Sequence, residues 1–196
     1  MMRADEGTSA DDSRRTGDTL LTVLRKLLLI LPLLLAALAG GQTVPRPDAP
    51  DKIKAPQGEN VILQVRASGS QIYTCQQADN KFSWTLKAPE AELRDLQGAV
   101  VGQHFAGPTW KYKDGSAVSG KAVARVDSPD SDSIPWLLVT ATGHSGDGLL
   151  SRVTSIQRIH TKGGQPPPAA DCNPSKLNGE TKSNYTADYY FYAPGK

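Results

Sequence analysis

The chain has 196 residues, with 22 Lys and Arg against 20 Asp and Glu, a net charge of +2, and 38% hydrophobic residues. A balance that close to neutral, with no Lys/Arg cluster anywhere along the chain, excludes a polybasic nucleic-acid surface. The only methionines are Met1 and Met2, so the rest of the chain offers no thioether to oxidise or to bind soft metals.

At the N-terminus, Arg25 and Lys26 lead into LLLILPLLLAALAG, Leu27 to Gly40, which closes on Ala37-Leu38-Ala39. A positive segment, a short apolar run and a small-x-small site are the three parts of a secretory signal. The run is shorter than the roughly 20 residues that cross a hydrocarbon core, so a membrane anchor is disfavoured and no integral span is expected in the mature protein. A lipid anchor is disfavoured too, because Gly40 and Gly41 follow Ala39 where a lipoprotein places its cysteine. The reading is export with cleavage near Ala39, to a secreted or periplasmic location. Residues 1–22 are acidic for such a leader (Asp5, Glu6, Asp11, Asp12, Asp18) and read as an extension ahead of a compact signal beginning at Val23. A twin-arginine signal around Ser13-Arg14-Arg15 is the weaker alternative, since Gly17-Asp18 follows where apolar residues are needed. The expected organisation is thus 1–39 extension plus signal, 40–58 a Pro-rich linker or arm, and 59–196 a single domain.

In an oxidising compartment the two cysteines, Cys75 and Cys172, are most simply a disulfide. Closing a loop of about 100 residues contributes on the order of 4–5 kcal/mol in the chain-entropy model. The bridge would tie down Thr161 to Asn184, a stretch rich in Gly, Pro and Asn that has too little apolar surface to hold itself by burial. A nucleophilic cysteine is the alternative, but no His flanks either Cys.

The remainder reads as short strands. Asn60 to Ala67 and Gln71 to Cys75 are separated by Ser68-Gly69-Ser70, read as a turn. Asp79-Asn80 turns the chain into Lys81 to Lys87, where Phe82, Trp84 and Leu86 alternate with polar residues as on a strand with one buried face. Ala88 to Asp95 fits either a helical turn led by Pro89 or a strand. Around Asp95–Gly98 and Asp114-Gly115, two units read as strand, turn, strand, and Gly102 and Gly120 mark bulges or close backbone approach. Lys121 to Val126 continues the second hairpin. Trp136 to Thr142 is the most hydrophobic strand, expected to be central. Ser151 to Thr161 spaces Val153, Ile156 and Ile159 three apart, as a helix would, but its β-branched content favours a long strand with a bulge. Tyr185 to Tyr192 is an aromatic final strand. About nine strands without a long helical pattern predict an all-β fold, an antiparallel sandwich or barrel.

For chemistry, His104, His144 and His160 show no metal-ligand spacing, so no metal site is expected. No phosphate loop or dinucleotide fingerprint occurs, and no cofactor is expected. Gly143-His144-Ser145-Gly146-Asp147-Gly148 gathers Ser, His and Asp in one Gly-rich turn, where sequence neighbours rarely point at one another as a triad requires. Glycosidase carboxylates could come from Glu90, Glu92, Asp95, Asp114, Asp127, Asp130 or Asp132, and nothing singles out two. The strongest candidates are aromatic: His104-Phe-Ala-Gly-Pro-Thr-Trp110, followed by the Asp114 turn, and Ile134-Pro-Trp136. Exposed indoles stack on the C–H faces of sugars; the alternative is that both tryptophans are core. Candidate ligand-binding residues are therefore His104, Trp110, Asp114 and Trp136, with a glycan or small molecule as partner.

Ile72-Tyr-Thr-Cys75, Ala88-Pro-Glu-Ala through His104-Phe-Ala-Gly-Pro-Thr-Trp110, Asp114-Gly-Ser116, Ile134-Pro-Trp-Leu-Leu138, Ile156-Gln-Arg158, Thr161-Lys-Gly-Gly164 and Cys172 follow one another in this order. The chain thereby resembles, from about Val61 to Phe191, a family of secreted bacterial and fungal proteins described only as a domain of unknown function. The resemblance implies a secreted single domain, supports pairing the cysteines, and transfers no catalytic residue. Three function classes follow: a binding or cell-envelope module, a secreted hydrolase using His104 or His144 with a nearby Asp, and a structural or interaction protein without a small-molecule site.

Overall fold

In the computed structural model, which describes residues 44–195, eight antiparallel strands follow one another round a closed barrel: β1 (Glu59–Ala78), β2 (Lys81–Arg94), β3 (Val100–Phe105), β4 (Thr109–Tyr112), β5 (Ala117–Val126), β6 (Trp136–Ser145), β7 (Ser155–Gly163) and β8 (Glu180–Pro194). The leader expected over 1–39, its cleavage site and residues 40–43 of the arm lie outside the described residues. Closure by pairing β8 with β1 leaves no sheet edge along the shared length, and this all-β architecture is the barrel of the two expected alternatives. No described helix is long and apolar enough to cross a membrane.

The predicted turn at Ser68-Gly69-Ser70 is instead the middle of β1, which merges two expected strands and leaves eight. β1 is paired on both sides there, Ser68 with Glu92 and with Thr186, so ladder hydrogen bonds override the local preference of Ser and Gly for a turn. Pro89 likewise sits inside β2. The turn at Asp79-Asn80 forms as expected, with both residues at positive φ (50° and 57°), the conformation a two-residue hairpin needs.

Inward side chains fill the barrel. Tyr185, Ala187, Tyr189 and Phe191 of β8 alternate into a core with Val65, Leu93, Val101, Trp110, Val118, Val139 and Ile156. Outward residues of the same region are also covered: Tyr190, Tyr192 and Ile159 pack with Val61 and with Ile53, Ala49 and Ala55 of the N-terminal arm. Ile53 is fully buried, and its carbonyl accepts from Gln157 Nε2 at 2.6 Å. Arg46 clasps the arm, donating to the carbonyls of Ala55, Pro56 and Glu59 while lying over the Tyr192 ring. Residues 44–58 are therefore a strap laid on the barrel. The strand expected over Ser151 to Thr161 starts later, because a 3-10 turn, Leu149–Arg152, takes its first residues and Val153 is buried ahead of β7. Within β7 double coverage explains the three-residue spacing, since Ile156 faces the interior and Ile159 the strap, with a register shift between Ile159 and Lys162.

Two further expectations are corrected. Trp136–Thr142 is not a central strand, because a closed barrel has no centre and most of β6 is half-buried or exposed. Phe82, Trp84 and Leu86 do not form a buried face: the first two are half-buried and Leu86 is 51% exposed. β2 pairs with β3 only from Ala91 to Arg94, so residues 81–88 extend past the β3 wall with β1 as their one strand partner.

The disulfide is formed between Cys75 of β1 and Cys172, with 5.3 Å between Cα atoms and 97 residues of separation. It holds the loop that leads to β8, and Trp84 Nε1 donates to Pro168 O of that loop at 3.3 Å.

Candidate functional site

His104 and Trp110 are opposite one another on β3 and β4. Their rings stack 4.3 Å apart at an interplanar angle of 5°, with Tyr189 edge-on to both. Both are almost fully buried. His104 Nδ1 bonds to Thr109 O at 2.9 Å. Burial, assisted by the Arg158 charge, lowers its pKa to about 4, so the ring is neutral at pH 7.

Asp114 is spent on the β4–β5 turn and the loop beside it. One carboxylate oxygen accepts from Ser116 N and Oγ, and the other from Leu149 N at 2.7 Å. These donors, Leu149 N–H first, hold its carboxyl below the usual range. Trp136 packs in the strap-covered cluster, edge-on to His160 at 5.3 Å. The structure thus brings His104 and Trp110 together and turns Asp114 and Trp136 elsewhere. Neither His proposed as a base meets an Asp: His144 Nε2 bonds to Val153 O, whereas His160 pairs with Asp188 at 2.9 Å. Among the described residues no cluster of three or more His, Cys, Asp or Glu could hold a metal ion.

The concavity that His104 borders opens on the outer surface. It has a volume of about 550 Å³ and is lined by Ser68, Gly69, Ser70, Glu90, Glu92, Gln103, Phe105 and Lys182. Its shape follows from pleat and register. Ser68 and Ser70 point outward from β1 with short side chains, while β2 raises Glu90 and Glu92 on one side and β8 raises Lys182 on the other. Lys182 Nζ reaches across β1 to Glu90 at 2.7 Å, and Arg94 holds Glu92 at 2.5 Å. Phe105, at the end of β3, keeps 39% of its surface exposed. The arrangement offers one aromatic face beside hydroxyl, amide, carboxylate and ammonium groups, a set suited to hydrogen-bonding a polyhydroxylated molecule.

Glu90 and Glu92 stood among the carboxylates read from sequence with nothing to distinguish them. Lys182 could not be grouped with them, because their neighbourhood depends on the first and last strands closing the barrel. Period-two alternation through Glu90 and Glu92 was the one available signal, and the ambiguity over Pro89 obscured it.

An antiparallel eight-stranded barrel, strapped by its N-terminal arm and tied by one disulfide, carries this outer valley. Residues 56–193 match a protein family described as a protein of unknown function, DUF3455, and the chain belongs to that family. No curated protein and no solved structure matches.

Proposed function

We propose that the protein is an exported binding module that takes a glycan or a similarly polar small molecule in the valley over Ser68-Gly69-Ser70. The observation that carries the reading is the exposed Phe105 ring set beside Gln103, Glu90, Glu92 and Lys182 in one concavity. A flat apolar face with a few convergent polar groups is how concave sites orient small ligands. His104 and Trp110 act beneath it, as the stacked pair that positions β3. Export is supported by the signal-like Leu27–Ala39 run, and the disulfide is compatible with it. Mass spectrometry of material secreted by the native host should find an N-terminus at Gly40 or within two residues of it.

A hydrolytic reading would rest on Glu90 and Glu92, two outward carboxylates on one strand. Binding is favoured because both are more than half exposed and each is paired with a cation, whereas a glycosidase acid needs apolar surroundings. A thermal-shift screen of glycans and polar metabolites on the disulfide-intact protein tests the proposal, since a ligand bound only by the native state raises Tm. Phe105→Ala should abolish a positive shift while leaving the unliganded Tm nearly unchanged. A screen with no shift, or a shift that survives Phe105→Ala, overturns it.

A further inference from the structure

We infer that the valley accepts a linear oligosaccharide lying across the strands, rather than a single sugar residue; this rests on the glycan reading above. The register carries the inference. Gln103 of β3 is opposite Glu92 of β2, Glu92 opposite Ser68 of β1, Ser68 opposite Thr186 of β8, and Thr186 opposite Lys162 of β7. All five side chains are exposed, so one unbroken row of hydrogen-bonding groups crosses five neighbouring strands on the outer face.

A second concavity of about 500 Å³, bordered by Lys162, Asn184 and Thr186, shares the Ser68-Gly69-Ser70 floor with the first. The two are halves of one trough; the Lys182–Glu90 ion pair crosses β1 beside Ser70, so a ligand passes from one half to the other over the short Ser68 side chain. Adjacent strands are spaced about 4.8 Å apart, so the row from Gln103 to Lys162 runs about 19 Å along the sheet. That length is several times the width of one pyranose ring. A monosaccharide at Phe105 would leave the Thr186 and Lys162 half unused, while an extended chain would meet a donor or acceptor at every strand. Lys162 Nζ lies 3.1 Å from Asp130 and is 72% exposed, free to turn one donor to a ligand.

Calorimetric titration of the disulfide-intact protein with β-1,4-linked glucose, xylose and N-acetylglucosamine oligomers, from monosaccharide to hexasaccharide, tests this. Affinity in one series should climb at least about tenfold between monosaccharide and tetrasaccharide, then level off. Lys162→Ala and Thr186→Val should weaken tetrasaccharide binding severalfold and leave disaccharide binding unchanged. Affinity independent of length, or a tetrasaccharide indifferent to both substitutions while Phe105→Ala abolishes its binding, would overturn the inference and leave the glycan reading standing. Absence of binding in every series would remove both.

Discussion

The His104 ring lies flat on the Trp110 indole, 4.3 Å away and within 5° of parallel, as a cross-strand pair sealed inside the barrel. An imidazole so placed is a liability in acid. It leaves one ring nitrogen bonded to Thr109 O and faces the Arg158 charge, so a proton added there would be buried beside a cation.

The pH dependence follows. The pKa of His104 is about 4 in the fold against 6.5 for the free group, so the unfolded chain binds the proton more readily than the native one. The stability associated with the neutral ring is complete above pH 6.5 and is lost as pH falls from 6.5 towards 4. At most it amounts to about 3 kcal/mol. Urea unfolding at pH 7 and pH 4.5 should show the loss, and His104→Gln should flatten it. An unchanged pH slope in that variant would show that other groups cause the acid sensitivity.

Much of the strand pattern is legible in the sequence, for a physical reason. Asp79-Asn80, the Asp95–Gly98 turn and Asp114-Gly115 need backbone conformations that few residues adopt, so their chemistry announces them. Ser68-Gly69-Ser70 has the composition of a turn yet is held straight by partners on β2 and β8 that lie far away in sequence. The strap is equally hidden, since four prolines in Gln42 to Gln57 look like a linker and only the folded barrel provides the Tyr190–Tyr192 surface that buries Ile53. The valley is the least legible part. Glu90 and Phe105 come together across the β2–β3 ladder, but Lys182 joins them only when β8 closes against β1, and no local period records that closure.

Loss of the disulfide should be costly and localised. Cys75→Ala with Cys172→Ala removes the covalent tie of the loop before β8, leaving the backbone bonds from Cys75 N to Gly179 O and from Asn178 N to Cys75 O, each 2.9 Å. Denaturant unfolding should show a loss of about 2–5 kcal/mol. Limited proteolysis should cut between residues 165 and 179 before it cuts any barrel strand. Simultaneous cleavage throughout would mean that the bridge supports the barrel as a whole.

The strap should count as part of the fold. Ile53 is fully buried against Tyr190, Tyr192 and Ile159, so Ile53→Ala should cost about 2–5 kcal/mol through lost burial and the cavity left behind. Deleting residues up to Gln57 should bare the same tyrosines and promote association, visible by light scattering. A deletion variant as stable and monomeric as the parent would reduce the strap to a passive tether.

Gly69 provides the sharpest separation of fold from valley. A Cβ built there would lie 2.1 Å from Glu90 O and 2.5 Å from Ala91 Cα, so β1 and β2 can approach as they do only without a side chain at this position. The obstacles are backbone atoms and cannot swing aside. Gly69→Ala must therefore push the two strands apart, with the cost of about 1–3 kcal/mol typical of overpacking. It should also distort the trough where its two halves meet. Gly143 is the matched control: a Cβ there meets nothing within 4 Å and its φ is not in the left-handed range, so Gly143→Ala should be neutral or stabilising by up to about 1 kcal/mol. Denaturant unfolding separates the two variants, and glycan titration of each shows whether the trough failed with the strand contact. Equal stabilities for both alanine variants would mean that β1 and β2 can yield at Gly69, and the valley would then owe its shape to the outward side chains alone.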